Sequence, residues 1–203
     1  MVKKIYDCFT TKLKKGNVYI ILGENGAGKS TLVDIIMGLH TDNLAGNIKI
    51  NGFNINELDM KYLRKNNIAL AEQEPFLFEE SILNNIILDN DNYDKNKLEE
   101  LLNYFNLSAV INKLPNGINS ILYENTINLS GGEKQKLSLI RTFLKNTDLI
   151  ILDEPTNALD VFTKEKLVKY LDSLKKDRII VIITHDRELF DIGDEVIEIK
   201  KNN

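Results

Sequence analysis

Eight residues near the start of the chain, Gly23-Glu24-Asn25-Gly26-Ala27-Gly28-Lys29-Ser30, have the types and spacing to hold phosphate. They fit the pattern G-x-x-x-x-G-K-[ST]. Gly23, Gly26 and Gly28 allow backbone conformations that side chains forbid. Successive N–H groups can then turn inward on phosphate oxygens at the positive end of a helix. Lys29 brings a full charge to the β/γ-phosphates, and the Ser30 hydroxyl can ligate Mg2+. A second set lies at Leu149-Ile150-Ile151-Leu152-Asp153-Glu154-Pro155. An apolar strand ending in acid is where a phosphate-loop enzyme holds its metal ion. Asp153 stands at the carboxyl end of that strand, where α/β sheets bind ligands, and Glu154 is placed to polarise an attacking water. A third set is Leu129-Ser130-Gly131-Gly132-Glu133. Ser130 and Glu133 fit a helix capping box. A cap does not require the two glycines, which are costly in a helix but leave backbone N–H groups open to an anion.

These groups need elements to position them. Val18–Leu22, Leu149–Leu152 and Ile179–Ile183 are near-continuous apolar runs, suited to parallel strands covered on both faces. Thr31 to Leu39 can form the helix that the phosphate loop must open, and the helix behind Ser130 is expected to reach about Leu144. In Thr163–Leu174, Leu167, Leu171 and Leu174 share one helical face. Strand and helix alternating in this way imply an α/β sheet with right-handed crossovers. Ile48 and Ile50 instead alternate with polar neighbours and run into Asn51-Gly52, a hairpin signal. From Pro75 to Lys145 the patterns are helical, interrupted at Pro115-Asn116-Gly117. The expected architecture is thus a mainly parallel α/β core with a small antiparallel piece and an inserted helical subdomain. Residues 1–203 form one domain, with 1–74 and 146–203 as the core and 75–145 as the subdomain.

At 203 residues the chain can bury roughly 70% of its unfolded surface. It is 43% hydrophobic and 28% charged, ordinary for a globular protein. Its 26 basic and 30 acidic side chains give a net charge of −4, which argues against nucleic acid as a partner. Lys3, Lys4, Lys12, Lys14 and Lys15 read as a solvated face. Cys8 is the only cysteine, so no internal disulfide forms and a reduced cytoplasmic setting is the simplest expectation. No apolar run approaches the ~20 residues that span a bilayer, and Met1 to Lys15 lack the apolar core of a signal peptide.

Phosphate loop, then Leu-Ser-Gly-Gly-Glu, then the Asp-Glu strand, in that order, resembles the nucleotide-binding domain of ATP-binding cassette (ABC) proteins. The resemblance covers nearly the whole chain and implies ATP and Mg2+ as ligands, with a P-loop NTPase core. It implies nucleotide contacts from Gly23 through Thr31, from Ser130, Gly131 and Gly132, and from Asp160. Gln73 matches the Q-loop glutamine that senses Mg2+ and water, so Ser30, Gln73 and Asp153 become the expected metal set. Ala158-Leu159-Asp160 matches the D-loop, and His185, in Ile183-Thr184-His185-Asp186, matches the switch histidine at the γ-phosphate. Lys29, Gln73, Glu154 and His185 are the expected catalytic group; His40 receives no role.

The resemblance also implies a head-to-tail pair with a second copy, or with a paralogous ATPase chain. Each ATP would lie between one phosphate loop and the other subunit's Ser130-Gly131-Gly132. The stretch Gln73–Phe78 followed by Ser81–Ile86 resembles the Q-loop segment of exporters. That points to an integral membrane partner and a peripheral position on the inner face of the membrane. Phe76, Leu77 and Phe78 are either exposed for such docking or part of the subdomain core. A soluble non-transport ABC ATPase, and an ATP-gated module with little turnover, are the alternatives. Two departures stand out. Lys29 is too near the first residue to leave room for the family's adenine-stacking aromatic, and Tyr6 is too close to Lys29 to replace it. Either adenine is held otherwise or the chain is a shortened form. In addition, Glu133 stands where many members carry Gln.

Overall fold

The computed structural model describes residues 9–39, 46–88, 90, 92–123 and 129–200. Lys3, Lys4, Tyr6, Cys8 and His40 lie outside them. The main sheet has five strands in the order β4-β5-β6-β1-β7. These are β1 (Val18–Gly23), β4 (Ile68–Ala71), β5 (Leu149–Asp153), β6 (Ile179–Ile183) and β7 (Glu195–Ile199). β1 pairs in parallel with β6 and with β7, Ile21 facing Ile183 on one side and Ile197 on the other. The three apolar runs expected as strands are all in this sheet. Their central residues, such as Ile20, Ile151 and Ile182, are fully buried, as strands covered on both faces require. β4 and β7 carry no run of this kind: β4 is half alanine, and β7 alternates exposed Glu195 and Glu198 with buried Ile197 and Ile199.

The small antiparallel sheet is β2 (Lys49–Ile50) with β3 (Phe53–Asn54), Ile50 facing Phe53. Asn51 at φ 51 and Gly52 at φ 88 turn the chain between them. Two positive φ values in succession are what a tight hairpin demands, and Asn-Gly supplies them cheaply.

Helix α1 (Lys29–Ile36) begins two residues earlier than the Thr31 start expected and ends short of Leu39. Gly38, at φ 69, stops it in the left-handed region that a following side chain would resist. α2 (Met60–Asn66) precedes β4. Between β4 and β5 the described residues hold α3 (Ile82–Ile87), α4 (Lys95–Tyr104), α5 (Ser108–Ile111) and α6 (Gly131–Leu144). The Pro115–Gly117 interruption is followed by a single 3-10 turn over Gly117–Asn119. α7 (Val161–Leu174) follows β5; Leu167 and Leu171 are fully buried and Leu174 half-buried.

The chain divides into two compact units. The first comprises residues 1–69, 147–151 and 175–203; the second comprises 70–146 and 152–174. In the second, Tyr104, Phe105, Phe143 and Tyr170 join α4, α6 and α7 through ring contacts of 4.8–6.0 Å. No helix among the described residues is long and apolar enough to cross a membrane.

Candidate functional site

In the first unit, β1 runs into the loop Glu24–Gly28 and the loop opens α1, so the strand–loop–helix setting is present. The loop closes through the Ala27 N–H on the Glu24 carbonyl at 3.1 Å. Gly26 lies at φ 77 and Gly28 at φ 103, both left-handed. Gly28 is the N-cap of α1, and no side chain caps that helix. Its first N–H groups are therefore presented to the loop, at the positive end of the helix dipole. The Lys29 ammonium donates to the carbonyls of Gly23 at 2.7 Å and Glu24 at 3.1 Å, so it arches back over the same loop. Ser30 is exposed and Thr31 half-buried. Gly23 itself is tightly enclosed: an added Cβ would come within 2.6 Å of the Ile199 carbonyl oxygen.

His185 belongs to the same unit. β6 ends at Ile183, opposite Ile21 of β1. Gly23, the last residue of β1, is two residues beyond Ile21 and His185 is two beyond Ile183, so both lie at the same end of the sheet. Thr184 is fully buried, and its hydroxyl accepts from the Asp186 N–H at 3.0 Å, bending the chain there and leaving His185 exposed.

The remaining candidates fall in the second unit. Gln73 is exposed in the segment after β4. Asp153 is the last residue of β5. Glu154 is 8% exposed and adopts φ 46, left-handed for a residue with a full side chain and followed by proline. Such strain on a non-glycine residue costs ~1–3 kcal/mol and collects at functional sites. The capping box read from Ser130 and Glu133 is present in both halves. The Ser130 hydroxyl accepts from the Glu133 N–H at 3.3 Å, and the Glu133 carboxylate accepts from the Ser130 N–H at 2.7 Å. Gly132 packs against the chain just before α7: a Cβ there would meet the Ala158 carbonyl oxygen at 2.7 Å. Asp160 starts α7 by accepting from the Thr163 N–H and hydroxyl, both at 2.8 Å, and pairs with Lys136 of α6 at 3.4 Å. Those bonds, led by the Thr163 backbone N–H, hold the Asp160 carboxyl below its ordinary pKa. The turn of α6 carrying Ser130–Gly132 and the segment 158–160 are thus tied together.

A model described as ABC transporter matches residues 6–157. The chain belongs to the ABC transporter family. It is 32% identical over 197 residues to ABC transporter B family member 3 of Dictyostelium discoideum, covering 97% of this chain and 14% of that protein. It is 32% identical over 189 residues to the ATP-dependent lipid A-core flippase of Pasteurella multocida (strain Pm70), covering 93% of this chain and 32% of that one. A solved structure of a bacterial Atm1-family ABC exporter with ATP bound superposes with a TM-score of 0.82 at 26% identity, over 93% of this chain and 33% of the other. The chain thus spans a third or less of the length of these relatives. The matched segment is the ATP-binding domain of an ABC transporter, with the α/β phosphate-loop fold expected.

The ABC chain holds further site-supporting residues that the motifs did not point to. Asn85, Arg141 and Thr142 bind the backbone on either side of Gln73, and Lys136 holds Asp160. One of them had a signal. Asn85 falls on the apolar face of α3 beside Ile82 and Ile86, and a polar residue there needs partners. The open choice at Phe76–Phe78 is also resolved. Phe76 is 62% and Phe78 47% exposed, their rings edge-to-face at 5.0 Å, while Leu77 is half-buried.

Proposed function

We propose that this domain binds and hydrolyses ATP to drive an exporter, working as a pair of ATP-binding domains beneath a membrane partner. The support comes first from the start of α1: a glycine N-cap in the left-handed region, no side-chain cap, and a lysine arched over the same loop. Such a helix start suits the triphosphate of a nucleotide. Residues 23–31 cradle the phosphates. Glu154 orients and polarises the water that attacks the γ-phosphorus, the bond to the β–γ bridging oxygen breaks, and ADP and phosphate leave. His185 contacts the γ-phosphate from the end of β6. Mg2+ suits the donors available. Among the described residues there is no cluster of three or more His, Cys, Asp or Glu. The Ser30 hydroxyl, the Asp153 carboxylate and the Gln73 amide are hard oxygen donors, few in number, of the kind Mg2+ uses while keeping waters and phosphate oxygens. Mg2+ bound with the nucleotide would neutralise charge on the phosphates.

In this reading residues 1–203 act as one ATPase domain. Ser130, Gly131 and Gly132 face the nucleotide held by a second copy or a paralogous chain, and Asp160 lies beside that contact. With a second copy, the association is isologous, with two equivalent sites. The membrane partner selects what is moved and holds the domain at the inner face of the membrane. The exposed Phe76–Phe78 pair is the surface offered to it.

Light scattering on purified Glu154→Gln protein, with and without Mg-ATP, tests this directly. The expected outcome is a shift from monomer to dimer on adding nucleotide. A folded protein that binds Mg-ATP tightly and stays monomeric at saturation would defeat the paired arrangement.

A further inference from the structure

Helix α6 carries Ser130–Gly132 at its start. Further along, two adjacent side chains leave it for another segment of the same unit. Arg141 Nε donates to the Asn85 carbonyl at 2.7 Å, while Nη1 and Nη2 both donate to the Phe76 carbonyl at 3.2 Å. Thr142, 1% exposed, shares its hydroxyl proton between the Ser138 carbonyl at 2.9 Å and the Leu70 carbonyl at 3.2 Å. Leu70 and Phe76 bracket Gln73. Neighbouring residues of one helix therefore hold both ends of the segment that carries it. Asn85, fully buried, closes the far side: its amide oxygen accepts from the Phe78 N–H at 2.8 Å, and Nδ2 donates to the carbonyls of Phe78, Glu80 and Ser81 at 3.0–3.2 Å. What emerges from this clamp is the exposed Phe76–Phe78 pair.

The choice of side chain is informative. Burial of the guanidinium opposes its charge and lowers its pKa, with Glu72 acting the other way. A residue needed only to fill space would do so at less cost as Leu or Met. What Arg adds is a planar fork with donors in fixed directions, here spent on two carbonyls from separate turns of chain.

We propose that Arg141 is a positioning residue that makes the segment 70–78 move as one body with α6. A displacement of the Ser130–Gly132 turn is then delivered to Phe76 and Phe78, and a push on that pair is delivered back. The nucleotide-dependent half of this inference rests on the ATP reading above; the mechanical half does not.

The chain has no tryptophan, so Phe76→Trp provides a single reporter on an exposed position. In nucleotide-free protein, adding Arg141→Ala should raise acrylamide quenching of the reporter by about twofold and lower its anisotropy, because the segment opens more often once its fork is gone. In the Glu154→Gln background, Mg-ATP should shift the reporter emission. Arg141→Ala should cut that shift by half or more while ATP affinity stays within about twofold, since the guanidinium is spent on the carbonyls of Phe76 and Asn85 and not on nucleotide. A merely structural role would move neither reading alone or both with the melting temperature. Arg141→Lys keeps the charge without the fork and should fall between; if Arg141→Ala does not fold, Arg141→Lys is judged in both assays. Unchanged quenching together with a full ATP-induced shift would overturn the proposal. If even the parent reporter protein fails to bind ATP, the ATP reading falls, and the quenching comparison alone decides Arg141.

Discussion

Helix α1 begins behind Gly28 at φ 103 with no side-chain cap, whereas α6 begins behind Ser130, whose hydroxyl closes a complete capping box with Glu133. Both starts are glycine-rich, and the glycines answer different physical needs. At Gly26 nothing lies within 4 Å of an added Cβ, but φ is 77. The backbone conformation is what a side chain would resist. At Gly132 the φ lies outside the left-handed region, but the Ala158 carbonyl oxygen occupies the space a Cβ would take. The first region has no side chain capping its helix N-terminus. The second caps itself and brings its first turn close to the chain leading into α7. One start is built to receive an anion with its own lysine at hand; the other is built to be stiff, with only the Gly131 and Gly132 N–H groups outside the capping box.

Substitutions put the contrast to the test. The largest effect is expected outside both helix starts, at Glu154→Gln, which should keep ATP binding but slow phosphate release at least ~100-fold, the lower end of a general-base contribution. Near-normal turnover would remove Glu154 from its role. Next comes Lys29→Ala, which should weaken ATP by about 100-fold, or ~2.7 kcal/mol, in titration calorimetry. Undiminished affinity would sink the phosphate-loop half of the comparison. The glycines discriminate most sharply. Gly132→Ala should destabilise the fold by about 1–3 kcal/mol through overpacking, and Gly132→Asn by more. Gly26→Ala should cost ~1–2 kcal/mol through left-handed strain, and Gly26→Asn less, since Asn tolerates that region. Thermal melts that ranked Ala and Asn the same way at both positions would erase the distinction. The smallest effect is at Ser130→Ala, where loss of the cap should cost ~1 kcal/mol. A melting temperature unchanged from the parent would mean the box contributes nothing.

Much of the core was legible because its signals are local. Val18–Leu22 and Ile179–Ile183 announce buried strands by composition, Asn51-Gly52 announces its turn, and the Ser130–Glu133 box needs only four consecutive residues. β4 was not legible. Ile68-Ala69-Leu70-Ala71 is short and half alanine, and becomes a strand because β5 lies beside it. The left-handed backbone at Glu154 was hidden as well, since Glu is a poor choice for φ 46 and only the surrounding structure can impose it. Arg141 could not be picked from its neighbours in the sequence. Its partners, Phe76 and Asn85, lie 65 and 56 positions away.

The order of the motifs, the alternation of strand and helix, and the glycine-rich helix starts can all be read from the residues in line, because they depend on periodicity and on side chains within a turn of one another. Folding is needed to leave Phe76 and Phe78 exposed, to deny Gly132 room for a methyl group, and to let α6 grip both ends of the Gln73 segment. The last two depend on backbone carbonyls brought in from distant parts of the chain, and a carbonyl looks the same in every residue until the fold aims it.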